Sequence, residues 1–393
     1  MGVYKMEKRQ EFYDLLCQMH IINTETEAYA RQKYQIIQKW LLENTPTRLF
    51  RYFSNAERNI DALANNEVWG SRIDTFNDPY ECVPCFDAQW LLDAIDHDVL
   101  TQLSKQIISQ LKSNNFNMNA ASLTSTEDLQ RLADNIQQYS EEQIMQVLTF
   151  AEQQLKGYIG DHVYEFMSEA YAQIHVAELY RHIACFTENM DSTLMWGHYA
   201  SSHQGFCAEY DFSSVLEPCT ENCSDIRFCS NFMLNHSIAP VYYSKGRVDA
   251  TSFLSTVIQH NLMTQVNIPM QPLQDLFVAT KCLLVKSEDW EYEKEWRLLS
   301  QLSEINEKYK VITHLKPKAI YIGVKTAKEQ AEKIYTICKQ QNIPCYKMLQ
   351  SYVTSDFSLD HIPYEEFAAT YYTQNKRDNL SRTLFERFPF HER

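Results

Sequence analysis

The chain has 393 residues and a formal charge of -15, enough for one large core or two moderate ones at about 100–200 residues per domain. With 45% hydrophobic and 22% charged residues its composition excludes wholesale disorder, and its acidity disfavours strong nonspecific binding to nucleic acid, which requires Lys and Arg to neutralise many phosphates. No apolar run reaches the length of about 18 residues needed to span a bilayer, and Met1 to Arg9 has no signal-peptide core, so no membrane partner and a cytoplasmic location are expected.

From Lys8 to Asn44, apolar residues recur at helical spacing (Phe12, Leu15, Leu16, Met19, then Tyr34, Ile37, Trp40, Leu41), which predicts two helices and sets residues 1–46 apart as an N-terminal unit. Thr47 to Phe53 is short, apolar and aromatic and reads as a strand, followed by a helix to Leu63 with Asn55 as its N-cap. Glu67 to Ile73 is a second strand, ended by the turn-forming Asn77, Asp78 and Pro79. From Phe86 to Tyr180 the chain is rich in Gln, Asn and Leu, and Ile144, Val147, Leu148, Ala151 and Leu155 mark it as a helical insertion over 86–180.

Strand patterning returns at His182 to Thr187, Gly205 to Phe212, Ala239 to Tyr243, Glu295 to Ser300 and Ala319 to Ile322, with helices over Thr251 to Thr264, Gln271 to Val285 and Lys328 to Gln341. The expected class is α+β: a mixed or split β core formed by 47–85 and 181–350, surrounded by helices, with 351–393 as a C-terminal extension. Ser122 to Glu127 and the basic, aromatic tail are the segments expected to move most. With 8 glycines and no GxGxxG or GxxxxGK[ST], Rossmann and P-loop readings are disfavoured.

Eleven scattered cysteines read as reduced thiols rather than as a disulfide framework. Cys82 and Cys85 form a CxxC, and Cys219, Cys223 and Cys229 precede His236, but neither spacing matches a strong zinc template. Chemistry concentrates in two blocks. In Met195 to Phe212, Trp196, Tyr199, Phe206 and Tyr210 read as core and His198 and His203 as capping groups or partners of backbone carbonyls; a metal reading needs both histidines to converge with a carboxylate such as Glu209. In Trp290 to Ser300, an extended chain would place Glu291, Glu293, Glu295 and Arg297 on one face, either against solvent or with Glu293 and Glu295 directed into a cleft. Two neighbouring carboxylates can separate their pKa values and so their roles. Arg51 offers a fixed cation and Tyr52 a ring, and Asn77 and Asp78 lie in a loop of the kind that often binds ligands.

The ordered blocks LFRYFS (Leu49 to Ser54), FNDPYE (Phe76 to Glu81), CFTE (Cys185 to Glu188), MWGHYA (Met195 to Ala200), HQGFC (His203 to Cys207) and WEYEKEWR (Trp290 to Arg297) resemble a bacterial family labelled a domain of unknown function. At one remove, an Arg-bearing first strand, an aromatic-histidine block and a late ExE strand resemble the ADP-ribosyltransferase layout. That resemblance implies NAD as substrate, Glu295 as catalytic carboxylate, Glu293 assisting the acceptor, and Tyr199 or His198 in a middle role. It further implies that Arg51 holds the dinucleotide; Tyr52, Asn77, Asp78, Trp196, His203 and Arg297 are further binding candidates. The acceptor would be protein or nucleic acid, and a role in defence against phage or in toxicity is the analogy. Two other readings stand beside it: a metal-dependent hydrolase or nuclease using His198, His203, Glu209 and the Glu293/Glu295 pair, and a noncatalytic sensor or interaction module.

Overall fold

The computed structural model describes residues 2–18, 27–87, 181–212, 238–257, 277–300, 307–351 and 354–374, with scattered positions between 89 and 172. Most of the predicted insertion, Ser122 to Glu127, the Cys219/Cys223/Cys229/His236 set and the tail from 375 lie outside the described residues. Among the described residues no helix is long and apolar enough to cross a membrane.

The fold is α+β, with a mixed ten-stranded sheet. The two predicted N-terminal helices are α1 (Gly2–Gln18) and α2 (Glu27–Asn44), and their apolar stripe, Phe12 and Leu16 with Ile37, Trp40 and Leu41, is buried in the main core. Strand β1 (Leu49–Phe53) leads into α3 (Glu57–Ala64) and β2 (Glu67–Ser71), after which the chain turns through a short 3-10 helix, Ile73–Thr75. The cap of α3 is Ala56, which makes no side-chain bond; Asn55 instead donates to Gln330 Oε1 at 3.2 Å, a tertiary contact that outcompetes local capping.

Beyond the insertion come β3 (Ile183–Thr187), α4 (Thr193–Tyr199) and β4 (Phe206–Tyr210). The strand expected over Ala239 to Tyr243 is broken at Val241 into β5 (Ile238–Pro240) and β6 (Tyr242–Ser244), which pair with different partners. Residues 251–257 are helical, and α5 (Val278–Leu284) gives way at Val285 to β7 (Val285–Ser287). A 3-10 turn over Glu288–Glu293 precedes β8 (Glu295–Leu299), then β9 (Tyr309–His314), β10 (Ala319–Ile322), α6 (Lys328–Gln340), β11 (Cys345–Gln350), β12 (Leu359–Pro363) and α7 (Tyr364–Gln374).

The sheet runs β12-β11-β10-β4-β1-β3-β2-β9, with β8 and β5 branching from β3. Alternation along β1 divides its side chains between two cores: Leu49 packs with the helices, whereas Phe50 and Tyr52 pack with Met195, Trp196 and Ala200 around α4. Strand β3 controls the geometry of the site. One edge is paired along its whole length with β8, from Ile183–Leu299 to Thr187–Glu295. Its other edge meets β1 at Phe50–Thr187 and β2 at Ser71–Ile183, so β1 and β2 diverge and the sheet splits between them.

Candidate active site

A cavity of about 420 Å³ opens at this split, lined by β1, β3, α4, β7, β8 and the turn after β2. The run from Trp290 is not one extended strand. Lys294 takes a left-handed conformation (φ 45°, ψ 50°) between the 3-10 turn and β8, so Glu293 and Glu295 are brought together by a bend rather than by strand alternation. Both are buried, at 3% exposure each. Thr187 Oγ1 donates to the Glu293 carbonyl at 2.5 Å, and the Glu295 amide donates to the Tyr243 hydroxyl at 2.7 Å.

The side chains form a buried charge cluster. Lys286 Nζ lies 2.6 Å from Glu293 Oε2, 3.3 Å from Glu295 Oε2 and 3.5 Å from Glu81 Oε2. Arg297 is wholly buried, and all its nitrogens are engaged: Nε donates to Glu295 Oε1 at 2.8 Å, Nη1 to the Leu283 carbonyl at 2.6 Å, and Nη2 to Glu81 and Glu295. Three carboxylates thus face two cations. Burial pushes the Glu295 carboxyl up, but Arg297 and Lys286 more than offset it and hold Glu295 well below the usual carboxylate range. Glu293 goes the other way: burial and then the neighbouring Glu295 charge raise it, against Lys286 and the Tyr199 hydroxyl, which donates to Glu293 Oε1 at 2.5 Å. Cys185 lines the same cavity from β3, and burial followed by the Glu295 charge pushes its thiol up.

Arg51 also lines the cavity, from the strand face shared with Leu49 and Phe53, where a charged residue is out of pattern. Its guanidinium lies over the Phe53 and Phe186 rings at 5.3 and 5.7 Å. Nη1 is sealed from solvent without a hydrogen-bond partner, and burial pulls the Arg51 pKa down. An uncompensated cation beside a cavity is costly unless a ligand supplies the anion.

Of the residues predicted from sequence, the cavity brings together Arg51, Tyr52, Asn77, His198, Tyr199, Glu293, Glu295 and Arg297. Tyr52 also has a structural duty, its hydroxyl donating to the Asn189 and Met190 carbonyls at 2.8 Å each. Three others lie elsewhere. Trp196 is fully buried, with Nε1 on the Met190 carbonyl; His203, left-handed at φ 70°, stacks on Trp196 and lines a different pocket with Lys325; and Asp78 caps its own turn through the Tyr80 amide at 2.8 Å while facing a neighbouring pocket. The convergence of His198, His203 and Glu209 required by a metal site is not formed, because Glu209 pairs with Arg48 at 2.8 Å and with the Tyr321 hydroxyl. Among the described residues no three His, Cys, Asp or Glu side chains are grouped to hold a metal ion. Sequence reasoning missed Lys286, Glu81, Cys185 and Thr187 as site residues. Lys286 had a signal, being a cation at the end of the apolar run LLV shortly before four glutamates.

No curated protein and no solved structure matches the chain. Its segment 195–298, which carries Tyr199, Lys286, Glu293, Glu295 and Arg297 but not Arg51 or Glu81, matches the family model described as protein of unknown function (DUF2971).

Proposed function

We propose that the split-sheet cavity is the active site of an enzyme transferring ADP-ribose from NAD to a protein or nucleic-acid acceptor. The observation that carries the reading is the division of labour around one cavity: Arg51 with a buried, unpartnered Nη1, and two carboxylates whose environments move their proton affinities in opposite directions. Arg51 takes the phosphate anion of the dinucleotide. When the bond from ribose C1′ to the nicotinamide nitrogen breaks, the electron pair leaves with nicotinamide and positive charge builds on the ribose. Glu295, held ionised, stabilises that charge. Glu293, with its raised proton affinity, accepts the proton released as the acceptor oxygen or nitrogen bonds to C1′. Tyr199 orients Glu293 through the hydrogen bond between them.

The test is incubation of the purified protein with NAD labelled in the adenosine half, following free nicotinamide and label transferred to lysate components. Glu293→Gln is expected to lower turnover about 10²–10⁴-fold, the range for loss of a general base. Arg51→Gln is expected chiefly to raise KM. Absence of both NAD binding and turnover in the wild type would overturn the reading, and binding without turnover would make the cleft a sensor.

A further inference from the structure

We propose that helix α1, which lies outside the matched segment, is a working part of this site, and that Arg9 is a positioning residue for the Glu293/Glu295 pair. The inference rests on the catalytic reading above. Arg9 falls on the same helical stripe as Phe12 and Leu16, where an apolar residue is the expected occupant. Instead its guanidinium enters the protein behind the cavity. Nη1 donates to the Val241 and Glu295 carbonyls, both at 2.7 Å, and Nη2 pairs with Glu188 Oε1 at 2.7 Å. The Tyr243 and Trp296 rings lie 5.6 and 5.8 Å from it.

These partners straddle the left-handed Lys294. Glu188 donates its amide to the Lys294 carbonyl at 3.3 Å and accepts from Trp296 Nε1 at 2.9 Å, while its neighbour Thr187 holds the Glu293 carbonyl. Arg9 therefore ties the end of β3 to the start of β8 at the bend that sets the two carboxylates beside each other. A buried Arg–Glu pair is weak as a source of stability, because desolvation offsets most of the attraction, but its directed donors fix geometry. Arg9 does not line the cavity, so it acts on the chemistry through the Glu295 carbonyl and through Glu188 beside Thr187.

The consequence is electrical. The groups facing Glu293 are Glu295 on β8, Lys286 on β7, Tyr199 on α4 and its neighbour Tyr292, with Tyr243 behind. After burial itself, Glu295 is the largest influence raising Glu293. Releasing the Glu295 carbonyl lets the pair separate, and Glu293 then titrates at lower pH.

The experiment uses the full chain as wild type, Arg9→Ala and Arg9→Lys, with two readouts: titration of Glu293 by carbon NMR of carboxyl-labelled glutamate, assigned with Glu293→Gln, and NAD turnover across pH. Arg9→Ala is expected to move the Glu293 titration to lower pH and to lower kcat by about 10-fold or more with KM changed less than about twofold, as expected when a reacting group is misplaced. Arg9→Lys, which keeps the charge but loses the fork, is expected to recover part of both. A folded Arg9→Ala protein whose Glu293 titrates as in the wild type overturns the proposal. If Arg9→Ala does not fold, Glu188→Gln opens the same clamp from its other end and is judged by the same shift. Should the wild type fail to turn over NAD, the NMR titration still decides the clamp, so the two ideas fail separately.

Discussion

Glu293 and Glu295 are two residues apart, share Lys286, and are shifted in opposite directions from the ordinary carboxylate value. Their substitutions should therefore differ in kind. Glu295→Gln breaks the buried ion pairs that this carboxylate makes with both Arg297 and Lys286, leaving the two cations only Glu81 and Glu293, and breaking a buried pair costs up to about 3–5 kcal/mol; a lower urea midpoint would record it. Glu293→Gln removes the one carboxylate in excess over the cations and keeps an acceptor for the Tyr199 hydroxyl, so stability should stay within about 1 kcal/mol of wild type. The pH dependence follows by sign. Glu295, depressed in the fold, contributes stability present above its ordinary value and lost as pH falls through its folded value; Glu293, raised, contributes stability present below its ordinary value and lost as pH rises through its folded value. Urea midpoints over about pH 3 to 8 should show both limbs in the wild type and only the acid limb in Glu293→Gln.

At the scale of elements, the strands that the sequence made legible are those with an apolar face set by alternation, such as Leu49–Phe53 and Phe206–Tyr210. The stretch from Glu291 to Arg297 misled because its alternation of charge and aromatics mimics a strand, whereas the backbone bends at Lys294, which pattern does not record. Glycines mark another constraint that periodicity cannot express. A Cβ on Gly205 would overlap the Phe53 carbonyl, and one on Gly323 the His203 carbonyl, at the place where the ends of β1 and β10 and the start of β4 converge. Gly205→Ala should therefore destabilise by about 3 kcal/mol or more, because backbone rather than a flexible side chain must give way. Gly197→Ala, inside α4 with nothing within 4 Å of the added methyl, should stabilise by about 0.5–1 kcal/mol on helix propensity alone. Paired thermal melts of the two variants test the contrast.

Across the whole molecule, strand order was not legible, because it depends on pairings between distant segments that leave no local pattern. The site inherits this property: Arg51, Cys185 and Glu295 meet through β3, which is paired with β1 on one edge and β8 on the other. The same holds at the far edge of the sheet. Leu359–Pro363 pairs along its length with β11, from Tyr346–Pro363 to Gln350–Leu359. Tyr364, which follows directly, is 2% exposed and belongs to the same core as Ile334 and Cys338 of α6. Truncation after Ser351 would thus strip the edge strand from β11 and open that core. The expected result is a loss of at least about 3–5 kcal/mol, the range for deleting one large buried side chain, together with aggregation through the uncovered β11 edge. Denaturant unfolding and light scattering of the truncated chain check both; retention of wild-type stability would mean that β12 and α7 dock on the sheet without sharing its cooperative unit.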